Sequence, residues 1–194
     1  MKSFQTLPQD YEEIYSIDLQ KDKKMSLIVN AISIVIALVL GYIGHLIVPI
    51  TALFDLSNGL TAYTQRFAVL IAGMIAYIIL HELVHGITMK MCGTKKIKYG
   101  FTGMYAFAGS DDYYDKKSYI TIALAPIMVW GIVLACINPF VSQEWFWIVY
   151  FIQLLNLSGA AGDLFVTIKF SRLPKDILIK DYGVGMTVYS AKKE

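Results

Sequence analysis

Four stretches of this sequence, residues 25–50, 67–91, 119–137 and 145–170, are long and apolar enough to be read as membrane-crossing segments. Hydrocarbon offers the backbone no water. Each N–H and C=O must therefore be satisfied within its own segment, and the expected structure of every run is an α-helix. The first run carries no formal charge, and at 1.5 Å per residue it exceeds the ~30 Å core of a bilayer. The chain of 194 residues is 56% hydrophobic and only 16% charged, far from the balance of an ordinary soluble domain. The expected fold class is an all-α integral membrane protein with four transmembrane helices and a small cytosolic β-hairpin between helices two and three.

The flanks of these runs set the orientation. Lys2, Lys21, Lys23 and Lys24 precede the first run, and Arg66 alone lies between the first and second. Lys90, Lys95, Lys96, Lys98, Lys116 and Lys117 surround the next loop, while the loop after the third run has no Lys or Arg. The tail returns to Lys169, Arg172, Lys175, Lys180, Lys192 and Lys193. By the positive-inside rule, both termini are expected in the cytosol of a multi-pass cell-membrane protein. The implied division is a cytosolic N-terminal segment 1–24, a membrane domain 25–170 and a cytosolic tail 171–194. Asp10, Glu12 and Glu13 precede the first run and no small-residue cleavage site follows it, so no removable signal peptide is expected. Ile14 and Ile17 could pack the N-terminal segment back onto the domain. Cys92 and Cys136 are too few and too far apart to suggest a metal motif or a disulfide framework.

Between the second and third runs the period changes. Ile97, Tyr99, Phe101, Tyr105 and Phe107 fall on odd positions, with Lys96, Lys98, Thr102, Met104 and Ala106 between them, and Thr102-Gly103 offers a turn. A β-hairpin over about 96–109 is expected. Two uses are open to it: its free edge could hold an extended peptide by strand addition, or its aromatics could rest on the membrane surface. Asp111-Asp112 reads as a solvated turn before a cation site. In the tail, Ile177-Leu178-Ile179 and Val184 to Tyr189 suggest a second short hairpin around Tyr182-Gly183.

The chemistry is concentrated in His81-Glu82-Leu83-Val84-His85-Gly86, inside the second apolar run. Two imidazoles four apart on a helix share a face and can hold one Zn²⁺, and the intervening Glu can reach water at the metal. With three His in the whole chain, the pattern H-E-x-x-H should arise by chance on the order of once in a thousand such sequences. Histidines in a membrane also pair with carbonyls or Ser across helix interfaces. A Glu among apolar residues, however, costs roughly 2.5–3.5 kcal/mol on insertion scales for a comparable Asp, which calls for a polar or metal-bound purpose.

A catalytic zinc needs a third protein ligand. His45 and Asp163 are the other buried candidates, and depth separates them. His45 lies ~30 Å along the first helix, near the opposite face, whereas His81, His85 and Asp163 are all ~9–15 Å from the cytosolic ends of their helices. Ser158-Gly159-Ala160-Ala161-Gly162 precedes Asp163, and small residues let helix backbones approach. Asp163 is thus the expected third ligand, its competing reading being a carboxylate paired with Lys169 or Arg172. His45 is expected to make an interhelical hydrogen bond.

HELVHG within one span, Ala125-Pro126 in the next, and Asn156, Ser158-Gly159 and Gly162-Asp163 in a later one resemble the DUF3267 family of zincin peptidases over most of residues 67–190. They are more distantly similar to the site-2 protease class of intramembrane metalloproteases. The resemblance implies zinc held by His81, His85 and Asp163, Glu82 as catalytic acid/base, and Asn156 near the substrate. It also implies a bacterial cytoplasmic membrane. Ala161-Gly162-Asp163-Leu164 stands where the site-2 class has a Leu-Asp-Gly pattern. The expected activity is zinc-dependent hydrolysis of peptide bonds at or within the membrane, near its cytosolic face. Expected partners are a membrane-protein or peptide substrate and the lipid bilayer, with no nucleic acid. The rival readings are a catalytically silent relative that binds membrane proteins, a metal-handling transporter, and a hydrolase of another amide or ester.

Overall fold

The computed structural model describes residues 2–18, 20–103, 105–183 and 185–192. Met104 and Val184, both assigned above to hairpins, and Lys193, assigned to the tail, lie outside the described residues. Helices α1 (Lys23–Ile47), α2 (Gly59–Met91), α3 (Lys116–Ile137), α4 (Gln143–Gly159) and α5 (Ala161–Ser171) carry the apolar runs. They supply four segments long and apolar enough to cross a membrane: Lys23–Ile47, Gly59–Met91, Lys116–Phe140 and Gln143–Ser171. Side-chain caps set the starts of α1 and α3. The Asp22 carboxylate accepts the Met25 N–H at 3.0 Å at the head of α1, and the Asp115 carboxylate accepts the Ser118 N–H at 2.7 Å at the head of α3.

Two differences from the expected spans matter. Helix α2 begins at Gly59, ahead of the expected start at residue 67, and runs for 33 residues. The fourth run is not one helix: it breaks at Ala160, between α4 and α5, inside the Gly159-to-Gly162 stretch. Gly at two of these positions lowers helix propensity enough for the chain to restart there. The restart places Asp163 in the first turn of α5, where the helix dipole favours a negative charge.

The all-α expectation is corrected. Strands β1 (Ser3–Phe4), β2 (Tyr11–Asp18), β5 (Tyr113–Asp115), β6 (Leu178–Asp181) and β7 (Gly185–Ala191) form an antiparallel five-stranded sheet in the order β1-β5-β6-β7-β2. The fold is therefore mixed helix and sheet. Most of its strands come from the segments flanking the spans, whose alternation is short and interrupted. Ile14 falls at a register shift between Glu13 and Tyr15 and is exposed, whereas Ile17 is buried in the core. The expected hairpin after α2 is present as β3 (Lys98–Phe101) paired with β4 (Ala106–Gly109). Gly103, in its turn, has φ +89°, a conformation that favours glycine.

The chain divides into two compact units. One comprises residues 1–29, 81–126 and 162–194. Its core joins Ile17, Met89, Tyr114, Tyr119, Ile122, Val166, Phe170, Ile179 and Val188, and so ties the sheet to the helix segments of that unit. The other comprises residues 30–80 and 127–161. Its core gathers Val48, Leu53, Leu70, Phe146, Trp147 and Ile148. Here Trp147 donates its indole N–H to the carbonyls of Val48 and Pro49, at 3.1 and 3.2 Å.

Candidate metal centre

The last turns of α2 carry His81, Glu82 and His85, and the first turn of α5 carries Asp163; all four belong to the first unit. Helical spacing of four stacks the two imidazoles on one face, with ring centroids 4.9 Å apart and planes at 78°. Both turn their Nε2 atoms to the same oxygen. His81 Nε2 lies 3.5 Å and His85 Nε2 3.6 Å from Asp163 Oδ2. The potential ligand atoms of these three residues all fall within 4.8 Å of one another. Two ligands each about 2.0–2.2 Å from a tetrahedral zinc sit roughly 3.3–3.6 Å apart, so the nitrogen-to-oxygen separations suit one ion. His81 and His85 are 9% and 8% exposed, so their ring nitrogens have little water to turn to.

The other ring nitrogen of His85 decides how it can bind. Its Nδ1 lies 2.9 Å from the Ile122 carbonyl on α3. A carbonyl only accepts, so Nδ1 carries the proton and, in the neutral ring, Nε2 keeps its lone pair for a metal. The donor set of two imidazoles and one carboxylate is the chemistry of an open zinc site, with a coordination position left over.

Glu82 is half-buried beside this group, with the backbone of Ala108 on β4 close to its carboxylate. The hairpin register explains that contact. The Thr102 N–H donates to the Tyr105 carbonyl across the turn, and alternation along β4 then points the backbone groups of Ala106, Ala108 and Ser110 away from β3. The Ser110 N–H accordingly reaches the Asp181 carbonyl at 2.9 Å. The hairpin also rests on the motif helix, because a Cβ added to Gly86 would overlap the Tyr99 hydroxyl.

The remaining expected residues are placed elsewhere. Asn156 is fully buried in the second unit, where its Oδ1 accepts the Tyr77 hydroxyl at 2.9 Å and its Nδ2 donates to the Ile127 carbonyl at 3.2 Å. The helix break at Ala160 separates it from Asp163. His45 is exposed, and its Nδ1 accepts the Ile50 N–H at 3.0 Å, a bond to the chain just beyond its own helix and not to another helix. Asp111 pairs with Lys98 at 2.7 Å. Lys169 lies over the Tyr15 ring, 3.7 Å from its centroid, and Asp163 turns instead to the histidines.

Sequence reasoning missed Asp181. It ends β6, buried at 9% exposure, where its carboxylate accepts the Tyr119 hydroxyl at 2.9 Å and the Gly183 N–H at 2.7 Å. Burial pushes its carboxyl up to about 6 against these hydrogen bonds, which pull the other way. The one available signal was the Asp-Tyr-Gly sequence of a turn, in which Asp commonly accepts a local N–H.

Comparison with known proteins agrees with this chemistry. Over 122 residues the chain is 30% identical to an uncharacterized 24.7 kDa protein encoded in the gap 5' region of Pyrococcus woesei, a match covering 60% of this chain and 53% of the relative. The chain thus spans about half the length of that relative. No solved structure matches it. Residues 74–178, more than half of the chain and including His81, Glu82, His85 and Asp163, match the family model DUF3267, described as "Putative zincin peptidase", and the chain belongs to that family.

Proposed function

We propose that this protein is a membrane-embedded zinc metallopeptidase that hydrolyses peptide bonds at or within the bilayer. The convergence of His81 Nε2, His85 Nε2 and Asp163 Oδ2, with Glu82 beside them, is the observation that carries the reading. A zinc ion held by these three residues supplies a Lewis acid for the scissile carbonyl and acidifies water from about 15.7 towards about 7.

The chain's own groups divide the remaining work. Asp163 contributes the negative charge that makes a dication acceptable at this depth, and the Ile122 carbonyl keeps the His85 proton on Nδ1. Glu82 takes a proton from the attacking water on its carboxylate and returns it to the nitrogen of the leaving amine. The peptide to be cut must be extended, since a helical substrate hides its carbonyls in its own hydrogen bonds. Ala106, whose backbone groups face away from β3, offers a short strand edge on the hairpin, which suits pairing with an unwound segment. Asn156 has an N–H to spare beyond its bonds to Tyr77 and the Ile127 carbonyl, but it is fully buried and would contact substrate only if its surroundings opened.

Clustering also separates catalysis from transport. Transit would call for polar groups strung through the depth of the membrane, whereas His81, Glu82, His85 and Asp163 gather at one point. A binding-only protein has no use for Glu82 in that position. The decisive comparison is Glu82→Gln against wild type in reconstituted protein. Turnover of a membrane-anchored peptide should fall by about 10²–10⁴-fold with zinc content unchanged. Undiminished cleavage by the variant would refute the mechanism.

A further inference from the structure

Helix α3 contains Pro126, buried and in the middle of its length. Proline has no N–H, so the carbonyl four residues earlier loses its helical donor, and the pyrrolidine ring crowds that same carbonyl away from the helix. The carbonyl concerned is that of Ile122, the group that accepts the His85 Nδ1 proton at 2.9 Å. Ile122 is 2% exposed, so water is no substitute donor. A buried carbonyl left without a partner would cost free energy. His85 has the complementary need, because it can present a fixed lone pair on Nε2 only if Nδ1 has a permanent acceptor. One missing N–H on α3 therefore meets one anchored ring on α2.

We infer that Pro126 is a positioning residue of the metal centre: by removing the helical donor to Ile122, it reserves that carbonyl for His85 and fixes which nitrogen faces Asp163. The inference rests on reading His85 as a metal ligand. Pro126 touches no reacting atom. Its contribution passes through the Ile122 carbonyl and the His85 ring, all within the first unit.

Pro126→Ala restores the N–H and gives Ile122 its helical partner. A residue that only shaped the helix would lower thermal stability and metal affinity together when lost. Here the two should move in opposite directions. Alanine in place of proline favours the helix, so the metal-free variant should melt at the same or a higher temperature than wild type. Its zinc affinity, measured by competition with a chelator in detergent, should be about ten-fold weaker, as for other groups that orient a ligand. The His85 Nδ1 proton, followed by ¹⁵N-edited NMR of the metal-free full-length protein, should exchange slowly in wild type and about ten-fold faster in the variant. Unchanged affinity, or affinity and melting temperature falling in step, overturns the inference. Should Pro126→Ala not fold, the wild-type spectrum decides alone, since a fast-exchanging or absent Nδ1 proton is incompatible with the proposed anchor. Failure of wild type to bind zinc would count against the metallopeptidase reading, while proton exchange would still test the proline.

Discussion

The two units differ in one cluster of buried polar groups. In the second, Asn156 spends its amide on Tyr77 and the Ile127 carbonyl, and Trp147 spends its indole N–H on the carbonyls of Val48 and Pro49. Those bonds close on themselves, and such closure is what keeps polar groups inexpensive in an apolar interior. In the first, two imidazoles and a carboxylate turn toward one another through atoms that are ligands as much as hydrogen-bonding groups. The first unit has closed bonds as well, Asp181 with Tyr119 and Tyr114 with Thr94 and Ser110; the convergence of His81, His85 and Asp163 on one point is what sets it apart.

Removing a converging group should have the largest effect. Asp163→Ala leaves two imidazoles without their carboxylate, and zinc affinity should fall by more than about 100-fold, beyond the range seen for groups that merely orient ligands. Metal analysis of purified protein checks it, and stoichiometric zinc in the variant would move the third ligand elsewhere. Next is the contact between the hairpin and the motif helix. Gly86→Ala should push the half-exposed Tyr99 ring off α2; the roughly 1 kcal/mol by which alanine favours a helix interior over glycine offsets that loss, so the net change should stay within about 1 kcal/mol. Chemical unfolding checks it, and adding Tyr99→Ala should recover what the displaced contact costs. No recovery would mean that Tyr99 is not the neighbour displaced.

The pH dependence is specific to the first unit. The unfolded Asp181 carboxyl titrates near the usual 3.8 and the folded one near 6, so folding favours the protonated form. Its stabilising contribution is complete below about 4 and is lost as pH rises through 6, up to about 3 kcal/mol. Metal-free wild type should lose stability across that interval, and Asp181→Asn should flatten the slope. An equal slope in the variant would assign the effect to another group. The smallest effect on the metal belongs to the scaffold: Trp147→Phe removes the indole N–H and part of a fully buried ring, and should destabilise by about 2–3 kcal/mol without altering zinc content. Lost zinc there would erase the contrast between the units.

The membrane spans were legible because twenty apolar residues in a row permit little else, and β3 and β4 because Tyr99, Phe101, Tyr105 and Phe107 keep a strict period of two. The grouping of His81, His85 and Asp163 was legible through helix spacing for the two histidines and through depth for Asp163. Of the five-stranded sheet only the β6–β7 hairpin was, from Ile177-Leu178-Ile179 and the apolar stretch that follows Tyr182-Gly183; the sheet as a whole was not. Its two longest strands, β2 and β7, pair residues such as Ile17 and Met186, and local periodicity does not report a partner at that separation. The break at Ala160 was hidden too, because the small residues around it read equally well as a close helix contact. Pro126 could be seen, but its consequence needed to know which side chain stood opposite Ile122.

That pairing of β2 with β7 has a consequence in time. The first unit is assembled from three separated stretches of chain, while the intervening stretches form the second. During synthesis β2 emerges early and must wait for β7, which follows every other described element. Asp163 likewise reaches His81 and His85 only once α5 has been made. A ribosome-bound chain halted before α5 therefore carries the histidine pair without its carboxylate, so the three-residue group is completed late, after the preceding helices have been synthesised.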